Sequence, residues 1–548
     1  MDSTSVDKPG GHGGHHPDWT HPLSTKQIIE KIKSAIWQKR PILGDIMQRH
    51  GNDTLYEYAQ DFLDVNKSPL LDVRKQELIA VVEEILTERL GKEVATGVVQ
   101  QLQKLPLVST ADHHGPITHP FFVNSNIISA LTFLAVPKNT YQYLVDFSFA
   151  SISINNTSFP RGICFHGDDH GTSEPIRLPI FPDKLKMGVT YAMRAFNRED
   201  IERMKGEVLK KERLGEITPG RATKIIEIVD TYFASSDVLG APDFNAQITK
   251  INYKLWPLLF HTAKENKLSN NNNQSQLIYV EIETIVAKLL TDVHLLRSES
   301  VFYKLLFNKK YQALVLQFFN NLPGAFSLEK AWGTYLFWGV DANFHRVRLV
   351  LDGNKLASHD QDYTLPLEPQ AIIEALQQKK IFPSMLLCYL MVSLYYGTKC
   401  LGGFSQVHDL TLIKTAWQNL LKEAGEMEES EAVTPVQTKE LGGDGLVLSY
   451  LVDREGDLMP ATGIDMIVGE EDTTIEKFCA IAKQVTLTDT MCPMLPEIYN
   501  VLYSQPDRDP ELSALTSKQI LRAIDFKHVV MVDNAKENIS LPTFTTSS

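Results

Sequence analysis

The chain has 548 residues, enough for two to four domains or one large elaborated one. Hydrophobic residues make up 43% and charged residues 22%, a globular balance that excludes wholesale disorder. Lys and Arg number 54 against 67 Asp and Glu, and the net charge of −13 argues against a general nucleic-acid binder, while a local basic pocket for a small anion stays open.

The chain begins with a Gly-, His- and Pro-rich stretch, 1–22, expected to be a disordered tail; its histidines, His12, His15, His16 and His21, have no fixed geometry to share. Residues 23–104 read as helical. Ile28, Ile29, Ile32 and Ala35 recur at helical spacing behind Ser24 or Thr25 as cap, and Leu78, Val81, Val82, Ile85 and Leu86 mark a second helix. At 105–195 short apolar runs broken by Gly and Pro predict strands, with a helix from Asn126 to Val136, the first part of an α/β core. Residues 196–332 are expected as a helical insertion carrying an Asn-rich loop at 265–276, and 333–422 as the second part of the core. An acidic linker at 423–440 then leads to a mixed α/β region, 441–548, with a hairpin where VLSYLV meets DREGD.

Cys164, Cys388, Cys400, Cys479 and Cys492 are too scattered for a disulfide framework, and no CxxC pair suggests a cysteine-built zinc site. The longest apolar run, 381–396, contains a Pro and two Ser and falls short of the roughly 18–20 residues of a membrane span. With no basic-then-apolar leader, the expectation is a cytoplasmic protein with no membrane and no nucleic-acid partner.

Walker, GxSxG, HExxH and GxGxxG signatures are absent. Histidine instead concentrates in two loops. The first, TADHHGPITHP from Thr110, follows an apolar run and holds Asp112, His113, His114 and His119. Loops beyond strand ends, where helices begin, are where α/β sheets bind ligands, and histidine there serves as acid, base or metal ligand. The second, HGDDHGTSE from His166, offers Asp169, His170 and Glu174 to a metal or to acid/base work. A third, GTKCLGGFSQVH from Gly397, places Lys399, Gly402, Gly403, Ser405 and Gln406 after the long apolar run, with the Gly pair permitting close approach of a ligand. Cys400 reads as a small core residue, and the aromatics of WGTYLFWG, including Trp332 and Trp338, as core. The turn FPRG exposes Arg161 as an anion contact.

Together the three loops resemble a family, the cysteine-adding enzymes of bacillithiol synthesis. TADHHGPITHPFF is similar to that family's TGQQxGLxxGPLY, with Thr110, Gly115, Thr118 and Pro120 matching and Phe122 in place of the Tyr. The family's two Gln fall at Asp112 and His113, its next Gly at His119 and a downstream Lys at Asn126. DDHGTSE resembles its EDHDxxE loop, with Asp169, His170 and Glu174 in register, and GGFSQVHDLTLIK its GGPGEIAYWAQLK turn. The resemblance spans about 105–425. It implies a Rossmann-like (nucleotidyltransferase-like) parallel-sheet core with large helical insertions, a helical dimerisation element and hence a homodimer.

The resulting expectation is an enzyme, ligase- or transferase-like, that joins or transfers a small amino-acid-like or amine substrate. His113, His114, Asp169 and His170 would be catalytic; Asp112, His119, Asn126, Arg161, Glu174, Lys399, Gly402, Gly403, Ser405 and Gln406 would bind the substrate. A divalent metal (zinc, iron or manganese) on His113, His114, Asp169 and His170, or a nucleotide, is the cofactor such loops would take. Asp112-His113-His114 also resembles the triplet of the DHH phosphoesterases, so a metal-dependent hydrolase or phosphoesterase is one alternative, and a non-catalytic binding or scaffold protein on an enzyme-like fold the other.

Overall fold

Local signals account for the first hundred residues. Ser24 caps helix Thr25–Lys39 with a capping box: its hydroxyl accepts from the Gln27 N–H, and the Gln27 side chain accepts from the Ser24 N–H. The computed structural model describes residues 24–65, 68–135, 140–168, 174–262, 267–268, 275–452, 457–469, 473–524 and 530–532. The tail at 1–22, most of the Asn-rich loop, and Asp169 and His170 lie outside these residues. Helices α1 (Pro69–Leu90) and α2 (Lys92–Lys104) pack together across Gly91, whose φ of +89° favours glycine.

The molecule is mixed α/β around a four-stranded, all-parallel sheet. Strand β1 (Leu107–Ser109) leads through α3 (Pro120–Leu131) to β2 (Tyr143–Ser148), and α4 (Phe244–Leu255) precedes β3 (Gln276–Glu281). Helix α5 (Ile282–Asp292) follows β3, and β4 (Lys399–Leu401) feeds α6 (Gln406–Ala424). β1 pairs with both β4 and β2, and β2 pairs with β3. The spatial order is β3-β2-β1-β4, so the direction in which strands are added reverses between β1 and β4.

Alternate strand residues enter two separate cores. Leu107, Leu144, Leu277, Tyr279 and Leu401 face one shared with Val123 and Ile127 of α3 and Ile248 and Ile251 of α4. Val108, Val145, Phe147, Ile278, Val280 and Cys400 face the other, with α1, α2, α5 and α6. Both faces are therefore dry. Each large aliphatic or aromatic side chain buried there contributes roughly 1.5–3 kcal/mol.

Several segments differ from expectation. The 196–332 stretch is not only a helical insertion, because it supplies β3. Its sequence, QLIYVE, is apolar on both faces and lacks the alternation that marks a half-exposed strand. The 333–422 stretch adds only β4 to the parallel sheet. Its other strands form two three-stranded antiparallel sheets, one joining Phe337–Val340 to Arg346–Arg348 and Ile381–Pro383. The hairpin of Gly162–Phe165 and Ile176–Pro179 also stands apart. Helix α3 starts at Pro120, a first-turn position that proline suits, rather than at Asn126. The acidic linker contains helix Met427–Val433, packed on α6. The 381–396 run is a buried core element, as expected, and no helix among the described residues is long and apolar enough to cross a membrane. Ser449–Val452 and Leu458–Pro460 pair antiparallel, as the hairpin reading requires.

One ion pair ties α1 to the end of β3. Arg89 donates through both terminal nitrogens to the two Glu281 oxygens, each at 2.6 Å, with both residues buried. Burial alone would raise the Glu281 pKa, but the guanidinium overcomes it and holds the carboxyl well below its usual range. Arg89→Ala should therefore strand a buried carboxylate and cost roughly 3–5 kcal/mol in urea unfolding at pH 7. A loss below about 1 kcal/mol would mean that this pair does not hold the strand end.

Candidate functional site

The carboxyl ends of β1, β2 and β4 open into a cleft of about 430 Å³. The loop after β1 brings Thr110 and His113 to it, the chain after β2 brings Phe149 and Ser151, and the turn after β4 brings Gly403, Ser405 and Gln406. The first and third loops are also bonded directly. Gln406 Nε2 donates to Thr110 Oγ1 at 2.6 Å, and the Thr110 N–H donates to the Leu401 carbonyl at 2.9 Å. Gly403 is needed for close approach, because a Cβ there would lie 2.9 Å from the Asp444 Cβ. Gly402 sits just behind, beneath the Gln406 side chain.

The two adjacent histidines divide. His113 lines the cleft, and its Nδ1 lies 3.1 Å from Asn156 Oδ1 and 3.0 Å from Ser158 Oγ. Its Nε2 has no hydrogen-bond partner among the described residues. Burial lowers its pKa to about 4, so it is neutral at pH 7. His114 points into the protein instead. Its Nδ1 lies 2.8 Å from Ser148 Oγ and its Nε2 3.1 Å from the Asn245 carbonyl, and it stacks on Tyr279. With both nitrogens occupied it is a structural histidine, not the catalytic or metal-ligating group expected of it. Side chains of successive residues diverge, and the buried carbonyl needs a donor.

Asp112 and Asn126 are buried beneath α3. Asp112 accepts from Ser125 Oγ at 2.7 Å, Asn126 Nδ2 at 2.5 Å and Tyr279 Oη at 3.1 Å. Burial still pushes its pKa up to about 7. Nearby, Asp146 on β2 is fully buried with neither oxygen in hydrogen-bonding geometry, and burial followed by the Asp112 charge raises it well above the usual range. Neither acid lines the cleft; Asp112 anchors the base of the loop through its three donors.

Three other candidates lie outside it. Lys399 is at the amino end of β4, the wrong edge of the sheet for a ligand beyond the strand ends, and its Nζ donates to the Asp61 and Asp64 carbonyls at 2.8 Å. Arg161 is buried, donating to the Phe181 carbonyl at 2.7 Å and pairing with Asp183, so it clamps its own hairpin instead of exposing a charge. His119 and Glu174 border a separate cavity. Asp169 and His170 fall outside the described residues. No group of three or more His, Cys, Asp or Glu among the described residues could hold a metal ion, so the four-ligand centre has no support there. Cys400 is buried and inert, its thiol raised to about 12 by burial.

The cleft has features that the sequence reading passed over. Asp409 and Asp444 face it, each raised to about 6 by burial, and Asp409 Oδ1 has no partner among the described residues. Trp332 and Trp338, expected in the core, form its rim: Trp332 is 36% exposed, and the Arg346 guanidinium lies 4.2 Å over the Trp338 ring. Asp409 sits inside the quoted FSQVHD motif and Asp444 inside the Gly-rich LGGDG, two turn signals that could have marked them. No protein-family model matches the chain, and no curated protein matches it in sequence.

The buried acids give a pH test. A carboxyl with a raised folded-state pKa binds more protons folded than unfolded above its ordinary value of 3.8, so its contribution to stability falls as pH rises. The histidines lowered to about 4 act oppositely between there and 6.5, so the variant-minus-wild-type difference is the informative quantity. Asp146→Asn should gain stability relative to wild type progressively from pH 4 to pH 8, read as melting temperature. A difference independent of pH would contradict the buried, protonated carboxyl.

Proposed function

We propose that this chain is an enzyme that joins or transfers a small amino-acid-like or amine substrate, bound in the cleft beyond β1, β2 and β4. The observation that carries the reading is the convergence of the first and third loops on one cavity, which a neutral His113 lines together with Asp409 and Asp444. Carboxyls at about 6 beside aromatic walls suit a cationic amine: they pair with the ammonium, and as stronger bases than an ordinary carboxylate they accept the proton it must lose before its nitrogen can attack. The unpartnered Nε2 of neutral His113 can accept a hydrogen bond from the bound amine. Ser405, the cap residue of α6, and Gln406 line the same space, and the amino end of that helix suits an anionic group of the second reactant.

We read the sheet as a Rossmann-like core. The order β3-β2-β1-β4, its reversal beside β1, helices on both faces and a cleft at the reversal support this. The resemblance to cysteine-adding enzymes agrees with it and extends the proposal to a nucleotide-activated reactant, a cytoplasmic setting and a homodimer.

A thermal-shift screen of primary amines, amino acids and nucleotides tests the function. Stabilisation follows RT ln(1 + [L]/Kd), about 2.7 kcal/mol at a hundredfold Kd. An amine-bearing compound should shift the wild type saturably and fail to shift the Asp409→Asn/Asp444→Asn double variant. No shift with any compound, or a shift that the double variant keeps, would remove the proposal.

A further inference from the structure

A second cavity, about 660 Å³, lies between the amino end of α3, the Gly162–Pro179 hairpin and the C-terminal helices, and shares no lining residue with the cleft. His166 reaches it from the strand end. Only 2% exposed, His166 is held by a buried carboxylate: its Nδ1 lies 2.7 Å from Asp465 Oδ2, and its backbone N–H donates to Asp465 Oδ1 at 3.0 Å. Asp465 is fixed in turn by Arg221 at 2.5 Å and by the Thr462 N–H at 2.9 Å. Burial opposes its ionisation, but His166 and Arg221 hold it well below the usual carboxylate range. An imidazole set in this way has one tautomer and one free nitrogen, Nε2, which finds no partner among the described residues.

The other walls carry donors that are also unused. His119 caps α3 without a side-chain cap bond, and its Nδ1 is buried and unpartnered. The N–H of Phe121, in the first turn of this twelve-residue helix, has no acceptor among the described residues. Arg177 lines the same space; after burial, its charge is the main cause that lowers His119 to about 3. Glu174 and Glu497 complete the lining, with Glu497 raised to about 7 by burial and so partly protonated at neutral pH.

We propose that this cavity is a second small-molecule site, binding a ligand through an oxyanion seated between Arg177, His119 and the amino end of α3, with the Asp465-oriented His166 as its proton-exchanging partner. Phosphate and carboxylate share this chemistry, and the probes separate them. In protein labelled with ¹³C-histidine, the ring Cε1 resonances of His119 and His166, assigned by His119→Asn and His166→Asn, are followed during titration with inorganic phosphate, pyrophosphate and succinate at constant ionic strength, with chloride as reference. At least one oxyanion should move both resonances saturably and leave His113 in place. Arg177→Gln, an exposed position whose change leaves the fold intact, should weaken that binding at least about tenfold. Movement that chloride reproduces, movement that survives Arg177→Gln, or no movement with any probe would overturn the site. The Asp409→Asn variant, which perturbs the cleft, should leave these titrations unchanged.

Discussion

A parallel sheet covered on both faces takes the polar side chains along it out of water, and most of them need a partner inside the protein. That constraint organises this molecule. Along the carboxyl edge, Glu281 takes Arg89, Ser148 takes His114, and Glu283 accepts the N–H groups of Ala150 and Ser151 at 2.9 and 2.8 Å. Asp112 gathers three donors from α3 and β3. These partners are drawn from α1, α3, β3 and the loops after β1 and β2, segments far apart in sequence, so the same bonds that satisfy the edge also fix the helices around it.

Against that satisfied background, the groups left open stand out. Among the described residues, the cleft holds an Asp409 oxygen and a His113 nitrogen without a partner, and the second cavity holds such nitrogens of His119 and His166. Asp146 differs from these: it opens onto neither cavity, and a bound proton accounts for it.

Much of this was legible in the sequence because local chemistry governs it. Ser24 as cap, the apolar faces of α1, the strands at β1 and β2, and the turn before α6 all follow from short-range pattern, and so does the meeting of the first and third loops. Strand β3 was not legible, because burial on both faces erases alternation and leaves an apolar stretch that reads equally as helix. The histidine loops showed where polar chemistry gathers but not which way each ring turns. His114 and His113 differ only in whether β2 and α4 or open space lies beside them, a fact of tertiary packing. Lys399 and Arg161 misled for a related reason: a charge in a Gly-rich turn reads as exposed, whereas here both are spent on backbone carbonyls within the fold. Asp465, 299 positions from its His166 partner, carries no local signal at all.

The division of labour between those two adjacent rings is the point on which the placement of the cleft rests. Chemical modification of the native protein with diethyl pyrocarbonate, read residue by residue by fragment mass spectrometry, measures it directly. His113, neutral and with its Nε2 open to the cleft, should be modified, while His114, bonded through both nitrogens, should react only after unfolding. Modification of His114 in the folded protein while His113 stays protected would contradict the account.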